Sequence, residues 1–358
     1  MNLDNKKVLI VKPSSMGDVI HAIPVAHAIK RVYPGSKIGW VIQSGLESLL
    51  SGDSAVDEII RIDIPSTSNP GAPKRAYLDA AVATFRQLGQ LRRKFKSSGY
   101  EIVIDLHASF RSGLISMTCP KSFRYGLEDA KELNTFFQSE LIRLDSSKPH
   151  AVDKNLACLS IFGIESAPED FLLRLPDDVT HEAGRFWGNI APKDDKPVIY
   201  ANPCARWITK MWNIHAWRRL TEMMIDELNA TVLFGGGQGD ANHINEILEG
   251  LSENRIKSAR NIAGKLTPVV SAAVMSKCQA YIGVDSGPMH MAAFLGLPIV
   301  AIFGPTDPCK VGPYTKLSVV IRNTNLDCLS CRKSSCTNLR CMNEIGPETL
   351  FQALKTLL

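Results

Sequence analysis

The sequence predicts an α/β fold made of two Rossmann-like domains that face each other across a cleft. Its 358 residues are too many for one ordinary domain and enough for two domains that each bury a core. Short β-branched runs alternate with longer stretches of helical periodicity, and this alternation starts twice, on either side of a polar stretch at 176–197. Strands separated by helices imply right-handed crossovers and a mostly parallel sheet in each half.

The first half, residues 1–185, contains the first round of alternation. β-branched runs predict strands at 7–11, 37–42, 56–63 and 100–106. Helical periodicity covers 19–32 and 76–96. The segment 65–73 is rich in Ser, Pro, Asn and Gly, which predicts a loop that leaves the sheet.

The second half, residues 186–346, repeats the pattern. Its predicted strands lie at 198–201, 231–234, 280–284, 299–303 and 318–321. Residues 347–358 form a last amphipathic helix that could cross back to the first domain. Because ligands of such folds bind at the carboxyl ends of the strands, the residues directly after each strand are the candidates for chemistry.

Composition and charge exclude several classes of protein. With 45% hydrophobic and 22% charged residues, the chain is globular rather than disordered. The apolar run 8–11 is too short for a signal peptide, and the uncharged stretch 286–306 is broken by Gly and Pro, so we expect a cytoplasmic protein. A net charge of +5 suits anionic ligands or peripheral contact with the anionic cytoplasmic face of the inner membrane. Because the basic residues form no single stripe, we expect no nucleic-acid partner.

The turn after the first strand runs from Lys12 and Pro13 through Ser14, Ser15, Met16 and Gly17 to Asp18. Small residues ahead of a helix N-terminus present backbone N–H groups and suit anion binding. A carboxylate is unusual in a phosphate site but natural at a helix N-terminus. Asp18 therefore remains open between a functional carboxylate and a structural cap.

Three further candidate sites follow strands of the second half. In 202–212, Lys210 could hold a diphosphate as a point charge, or the loop could be solvated with packed tryptophans. The glycine run 235–239 lets a ligand approach the backbone and is followed by Asp240, although a plain tight turn explains it as well. In 283–290, Asp285 and Ser286 open a helix whose N–H groups would face a phosphate, while His290 is either functional or structural.

These motifs together resemble the ADP-heptose:lipopolysaccharide heptosyltransferases, the family 9 glycosyltransferases of GT-B fold. The resemblance covers nearly the whole chain, and five ordered motifs are more specific than any one of them. They are SSMGDVIHAIP at 14–24, NPxARWxTKxW at 202–212, NIAGK at 261–265, GVDSGPMH at 283–290 and FGPTDP at 303–308, with HAVD at 150–153 as a further match.

The resemblance implies an inverting, metal-independent transfer of heptose from ADP-heptose to the inner core of lipopolysaccharide. The acceptor would be Kdo-lipid A or heptosyl-Kdo, and the SSMGD form looks closer to heptosyltransferase I, whose acceptor is a Kdo sugar on lipid A. Residues 1–185 would bind this lipid-linked acceptor, with the loop 65–73 over its site, and 186–346 would bind the nucleotide sugar.

The resemblance also assigns roles to individual residues. Asp18 would be the general base and Lys210 would bind the donor phosphates, while Asp240 would face the ribose. The remaining donor-binding candidates are Ser15, Gly17, Asp285, Ser286, Gly287 and His290. The acceptor-side candidates are His107, Arg111 and Arg124. Two departures from many relatives are Cys204 in place of Gly and His107 in place of Gln.

Neither a cofactor nor a catalytic metal is expected. No Asp-x-Asp pair occurs in the sequence to grip a divalent ion, so Lys210 and helix dipoles would neutralise the leaving group. The spacing C-x2-C-x4-C-x4-C could hold a structural zinc through thiolates, but it is tight, and reduced thiols are the favoured interpretation. The four residues concerned are Cys328, Cys331, Cys336 and Cys341.

Two alternatives from other functional classes remain. A nucleotide-sugar epimerase of the same architecture would share the donor site and need no acceptor. A zinc-stabilised nucleic-acid-binding protein would use the cysteine cluster and the basic charge. An NAD oxidoreductase is disfavoured because the fingerprint GxGxxG is missing.

Overall fold

The computed structural model describes residues 1–64, 74–192 and 196–358. The chain divides into two compact units, Met1–Arg174 and Leu175–Leu358. Within the described residues, each unit has one parallel sheet of six strands, which confirms the α/β class and the repeated alternation. The loop expected at 65–73 lies outside the described residues.

The sheet of the first unit has the order β3-β2-β1-β4-β5-β6. β1 and β4 lie side by side at its centre, with Val11 opposite Asp105, so the chain order reverses there. Ligands of open α/β sheets bind at such a switch point, beyond the carboxyl ends of the strands. The six strands are β1 (Lys7–Val11), β2 (Lys37–Gln43), β3 (Glu58–Ile62), β4 (Ile102–Asp105), β5 (Phe123–Leu127) and β6 (Glu140–Ile142).

Helices cover the sheet of the first unit. They are α1 (Met16–Val32), α2 (Lys74–Ser98), α3 (Phe110–Ser116) and α4 (Ala151–Leu156). α1 is buried along most of its length, and it packs against α4 and the short 3₁₀ turn Pro168–Phe171. β1 is buried from Val8 to its end, as expected for a central parallel strand that is covered on both faces.

The sheet of the second unit has the order β12-β11-β10-β7-β8-β9. Counted within each unit, this is the order of the first sheet, and β7 and β10 meet at the centre with Asn202 opposite Gly283. The strands are β7 (Val198–Asn202), β8 (Thr231–Phe234), β9 (Ala259–Asn261), β10 (Ala280–Val284), β11 (Ile299–Phe303) and β12 (Ser318–Arg322).

Nine helices of the second unit lie in the described residues. They are α5 (Asp177–Ile190), α6 (Ile214–Leu228), α7 (Ala241–Leu248), α8 (Glu253–Ile256), α9 (Pro268–Met275), α10 (Gly287–Phe294), α11 (Pro308–Val311), α12 (Arg340–Asn343) and α13 (Pro347–Leu357). α5 packs against α9, and the domain boundary expected at 185 falls inside it. α13 packs on α6 and on the strands β10 to β12 of its own unit.

Among the described residues, no helix is both long and apolar enough to cross a membrane.

Candidate active site

Asp18 lies in the first turn of α1, directly after the carboxyl end of β1. Ser15 is the N-cap residue, and both its backbone N and its Oγ donate to Asp18 Oδ2 at 2.8 Å. Asp18 therefore occupies the third helical position of a capping box rather than the cap itself. Both hydrogen bonds end on one carboxylate oxygen, and the half-buried side chain is fixed at the switch point of the sheet.

The surroundings of Asp18 keep its carboxylate charged. Burial by itself raises the pKa of Asp18, but the Lys12 ammonium, the two hydrogen bonds from Ser15 and the charge of His21 outweigh it, so the pKa lies below its usual value. Lys12 is buried, and its Nζ donates to Leu106 O at 2.6 Å. Burial lowers the pKa of Lys12, while the charges of Asp18 and Asp105 oppose that effect.

Asp105 ends β4 and organises the neighbouring loop. Its side chain is 0% exposed, which for an aspartate requires hydrogen-bond partners. Oδ1 accepts from the backbone N of His107 at 3.0 Å and of Ala108 at 3.1 Å. Ala108 has a φ of 58°, in the left-handed region, so this carboxylate holds an unfavourable backbone conformation.

The second oxygen of Asp105 ties two segments together. Oδ2 accepts from Ser112 Oγ at 2.9 Å, Asn134 Nδ2 at 2.7 Å and Gln138 Nε2 at 3.2 Å. Ser112 belongs to α3, and Asn134 opens the 3₁₀ turn Asn134–Phe137. The loop that begins at His107 is thereby fixed relative to the end of β4.

Of the three acceptor-side candidates, His107 lies within electrostatic reach of Asp18, and Arg111 lies within electrostatic reach of His107. Burial lowers the pKa of His107, as do the charges of Lys12 and Arg111, and the charges of Asp105 and Asp18 oppose them. His107 is thus neutral at pH 7 and able to exchange hydrogen bonds with a sugar hydroxyl.

Arg124 is placed differently from His107 and Arg111. It lies on β5 opposite Val103, two residues before the end of β4. Its Nε donates to Phe137 O at 2.7 Å and its Nη1 to Ser122 O at 3.3 Å. These contacts join Arg124 to backbone carbonyls and do not bring it to Asp18.

In the second unit, Lys210 and Asp285 form a direct ion pair. Lys210 Nζ lies 2.7 Å from Asp285 Oδ2, and Thr306 Oγ1 donates to the same oxygen at 2.6 Å. The ammonium also lies 5.2 Å from the centroid of the Trp207 ring. Because a carboxylate repels a diphosphate, this geometry favours Asp285 as the residue that orients Lys210 rather than as a phosphate ligand.

The turn after β10 leads into α10. Ser286 is the N-cap residue with an extended backbone, and its Oγ accepts from Asn202 Nδ2 at 2.9 Å. Gly287 is the first helical residue, so the helix N-terminus points its positive end toward the strand ends. His290 is buried one turn further along α10.

The glycine run after β8 is required by packing. A Cβ on Gly235 would lie 1.8 Å from Tyr200 Oη, and one on Gly236 would lie 2.8 Å from Asp240 Oδ2. Asp240 Oδ2 also accepts from Gly237 N at 2.8 Å, as a capped tight turn requires. Burial and the nearby Asp240 charge raise the pKa of Cys204 to about 12. The ribose contact of Asp240 stays a prediction.

The cysteine-rich segment consists of free thiols. Cys328, Cys331 and Cys336 are exposed and Cys341 is half-buried. Among the described residues, no group of three or more His, Cys, Asp or Glu side chains is placed to hold a metal ion, so the structure lends no support to the zinc alternative.

Several residues of the candidate site receive no role from the sequence motifs. Lys12 stands in the turn after the first strand but receives no role from the motif, and Asp105 ends a buried strand. A position at the carboxyl end of a central strand is the signal that could have identified both residues. The same holds for Asn134 and Gln138, which donate to Asp105, and for Thr306, which donates to Asp285. These contacts join distant parts of the chain.

The chain matches the model of glycosyltransferase family 9 (heptosyltransferase) over residues 88–342. It is 27% identical to lipopolysaccharide heptosyltransferase 1 of Pseudomonas aeruginosa over 338 residues, which cover 92% of this chain and 87% of that protein. At 27% sequence identity, the informative observation is that the alignment extends over nearly the full length of both chains.

Two solved structures share the fold. A family 9 glycosyltransferase from Veillonella parvula superposes with a TM-score of 0.82 at 23% identity, covering 100% of this chain and 98% of that one. The Escherichia coli heptosyltransferase WaaC, solved with ADP, has a TM-score of 0.73 at 21% identity. The match covers 98% of this chain and 100% of that one. Both comparisons identify the fold as GT-B.

Proposed function

The chain belongs to glycosyltransferase family 9, the heptosyltransferase family, and from this premise we propose that it transfers heptose from ADP-heptose to the Kdo sugar of lipid A. Heptosyl-Kdo is the alternative acceptor. The name of the P. aeruginosa relative supports a lipopolysaccharide acceptor, and the ADP bound by WaaC supports an adenine nucleotide in the donor. The observation that carries the mechanism is the ionised, hydrogen-bonded Asp18 at the switch point of the first sheet.

Asp18 acts as the general base in this proposal. The acceptor hydroxyl gives its proton to the Asp18 carboxylate while the hydroxyl oxygen attacks the anomeric carbon of the heptose. The bond from that carbon to the diphosphate oxygen breaks, and ADP leaves. Attack from the face opposite the leaving group inverts the anomeric configuration. Asp105 positions the loop of His107 and Arg111, which contact the acceptor sugar.

Lys210 stabilises the departing ADP. Its ammonium, oriented by Asp285 and Thr306, neutralises charge that develops on the diphosphate, and the first N–H groups of α10 supply further positive potential. These groups do the work that a divalent cation does in other glycosyltransferases, so the transfer proceeds without metal or another cofactor. Ser15, Gly17, Asp240, Ser286, Gly287 and His290 complete the proposed donor-binding set.

The place of action follows from the acceptor. A sugar on lipid A is anchored in a bilayer, so we place the enzyme in the cytoplasm with peripheral contact to the inner membrane. Nucleic acid is no partner in this scheme.

Acceptor-dependent release of nucleotide tests the proposal. The protein is incubated with ADP-heptose or a UDP-sugar, each with Kdo-lipid A, with heptosyl-Kdo-lipid A or without acceptor, and product mass and free nucleotide are measured. We expect ADP release with ADP-heptose and Kdo-lipid A, unchanged by a chelator, and a product with inverted anomeric configuration by NMR. Conversion of a nucleotide sugar without acceptor would instead support the epimerase.

A further inference from the structure

The solvent-facing side of α2 carries large apolar residues. Leu78, Val82 and Phe85 are 69%, 62% and 71% exposed. Their spacing of four and three residues places them on one face of the helix. The opposite face is buried and includes Leu91 and Phe95, which pack in the core of the first unit. α2 is therefore held in place by one face while the other offers apolar side chains to solvent.

Basic residues continue the same face toward the end of the helix. Arg92, Arg93 and Lys96 are exposed and follow Phe85 at intervals of seven, eight and eleven residues. Residues at these intervals share one broad face of an α-helix. None of the three has a carboxylate partner in the part of the chain that the structure describes. We call the face formed by these three residues with Leu78, Val82 and Phe85 the outer face of α2.

The charge of α2 is strongly one-sided. Its sequence contains seven Lys and Arg residues and a single acidic residue, Asp79. Apolar and cationic side chains on one face suit the boundary of an anionic bilayer, where apolar groups enter the acyl region and cations meet the phosphates. A second copy of this chain would bring like charges together, so the charge favours a lipid surface over self-association.

We propose that the outer face of α2 docks onto an anionic phospholipid bilayer. The inference rests on the proposed function for its purpose, because docking there holds the enzyme beside its lipid-anchored acceptor. The contact itself follows from the exposed apolar stripe and its cationic continuation.

Vesicle binding by the full-length protein tests the docking surface. Binding is measured by co-sedimentation with phosphatidylcholine vesicles that contain or lack phosphatidylglycerol. Val82→Glu combined with Phe85→Glu should weaken binding to the anionic vesicles by roughly tenfold or more, because both apolar contacts are lost. Arg92→Gln should weaken it roughly fivefold, and this effect should vanish with vesicles of phosphatidylcholine alone.

Matched controls lie in the second unit. Leu317→Glu changes another exposed apolar residue, and Lys277→Gln removes another exposed cation. Both should bind vesicles as wild type does, and all variants should keep the wild-type melting temperature. If Val82→Glu/Phe85→Glu binds anionic vesicles as tightly as wild type, the docking proposal is wrong.

Two acceptors separate docking from catalysis. Transfer to a Kdo acceptor without acyl chains should be unchanged in the α2 variants, whereas transfer to Kdo-lipid A in anionic vesicles should fall with their binding. Vesicle binding by a wild-type protein that transfers to neither acceptor would leave the docking surface standing and overturn the proposed function. The docking proposal would also be overturned if the wild-type protein forms a dimer and does not bind vesicles, and if Val82→Glu/Phe85→Glu dissociates that dimer. The outer face of α2 would then bind a second copy of this chain.

Discussion

The two units use one strand order but place opposite charges at their switch points. In the first unit, the groups that donate hydrogen bonds to Asp18 are the neutral N–H and O–H of Ser15. They do not cancel the negative charge, so the switch point presents an anion. In the second unit, Asp285 accepts directly from a cation, so Lys210 is presented and the carboxylate orients it. The strand ends fix the position of an aspartate in both units, and the groups that hydrogen-bond its carboxylate decide whether an anion or a cation is presented.

The sharpest test of this difference is Asp18→Asn. Asparagine keeps an oxygen that accepts from Ser15 but cannot take a proton, so turnover should fall roughly 100-fold or more while donor affinity stays near wild type. The measurements are kcat with saturating donor and acceptor and donor affinity by calorimetry. Asp63→Asn, an exposed carboxylate of the same unit, is the matched control. Near-normal turnover of Asp18→Asn would leave Asp18 with only its structural part in the capping box.

Lys210→Ala tests the cation of the second unit. Loss of a charge-assisted contact with the diphosphate should lower kcat/KM by roughly 10- to 100-fold and weaken donor binding, with the fold intact. If Asp285 only orients Lys210, then Asp285→Ala should add little in the Lys210→Ala background, and a double-mutant cycle measures this. Lys277→Ala is the control. Wild-type donor affinity in Lys210→Ala would contradict the phosphate assignment.

Lys12→Met tests how the charge of Asp18 is maintained. The folded pKa of Asp18, the proposed base, lies below its usual value of about 4. Its ionised carboxylate, and the stability that this charge contributes, therefore persist at neutral pH and are lost as the pH falls through that lowered pKa. Without the Lys12 charge, burial raises this pKa, and the acid limb of the kcat profile should move to higher pH. Lys12→Arg should leave the limb in place. An unmoved limb in Lys12→Met would mean that Lys12 does not govern Asp18.

The smallest expected effects concern backbone strain in the loops of the two units. Ala108 and Gly264 both have left-handed φ values, 58° and 73°. Ala108→Gly relieves strain but adds chain entropy, so unfolding free energy should change by less than about 1 kcal/mol. Gly264→Ala brings a Cβ to 2.7 Å from the Cα of Gln238 and should destabilise by about 2 kcal/mol. Urea denaturation measures both, and equal effects would contradict the difference.

Much of the fold could be predicted from local patterns, and the exceptions have physical causes. Most strands in the centres of the sheets are continuous apolar runs, and these were predicted within a few residues. The local pattern does not predict β6 and β9, which have three residues each, or β5, whose five residues include Arg124 and Gly126 and so form no apolar run. The polar stretch 176–197 predicts a linker between the two rounds of alternation, but α5 occupies most of it. Asp177 and Asp178 resemble loop residues, although acidic residues in a first turn also favour a helix.

The candidate site was predictable only where its residues are close in sequence. Asp18, Lys210 and Asp285 each follow a strand in a recognisable motif. Lys12 bonds to a carbonyl 94 residues away, and Asp105 bonds to Asn134 29 residues away. No local pattern records such pairings, because they depend on how the strands and loops come together.

The central pairing of the first sheet also sets an order of events on the ribosome. Val8 pairs with Ile102, so the central pairing of this sheet cannot form until about 100 residues have been synthesised, and until then the apolar β1 can pair only with β2. The first unit ends at Arg174, before any strand of the second sheet has emerged. Translation proceeds at about 5–20 residues per second. The nascent first unit therefore has several seconds to fold before β10 is synthesised and the central pairing of the second sheet, β7 with β10, can form. Synonymous changes that slow translation across 106–174 would lengthen the period in which β1 and β4 have been synthesised but the rest of the first unit, including β5 and β6, has not.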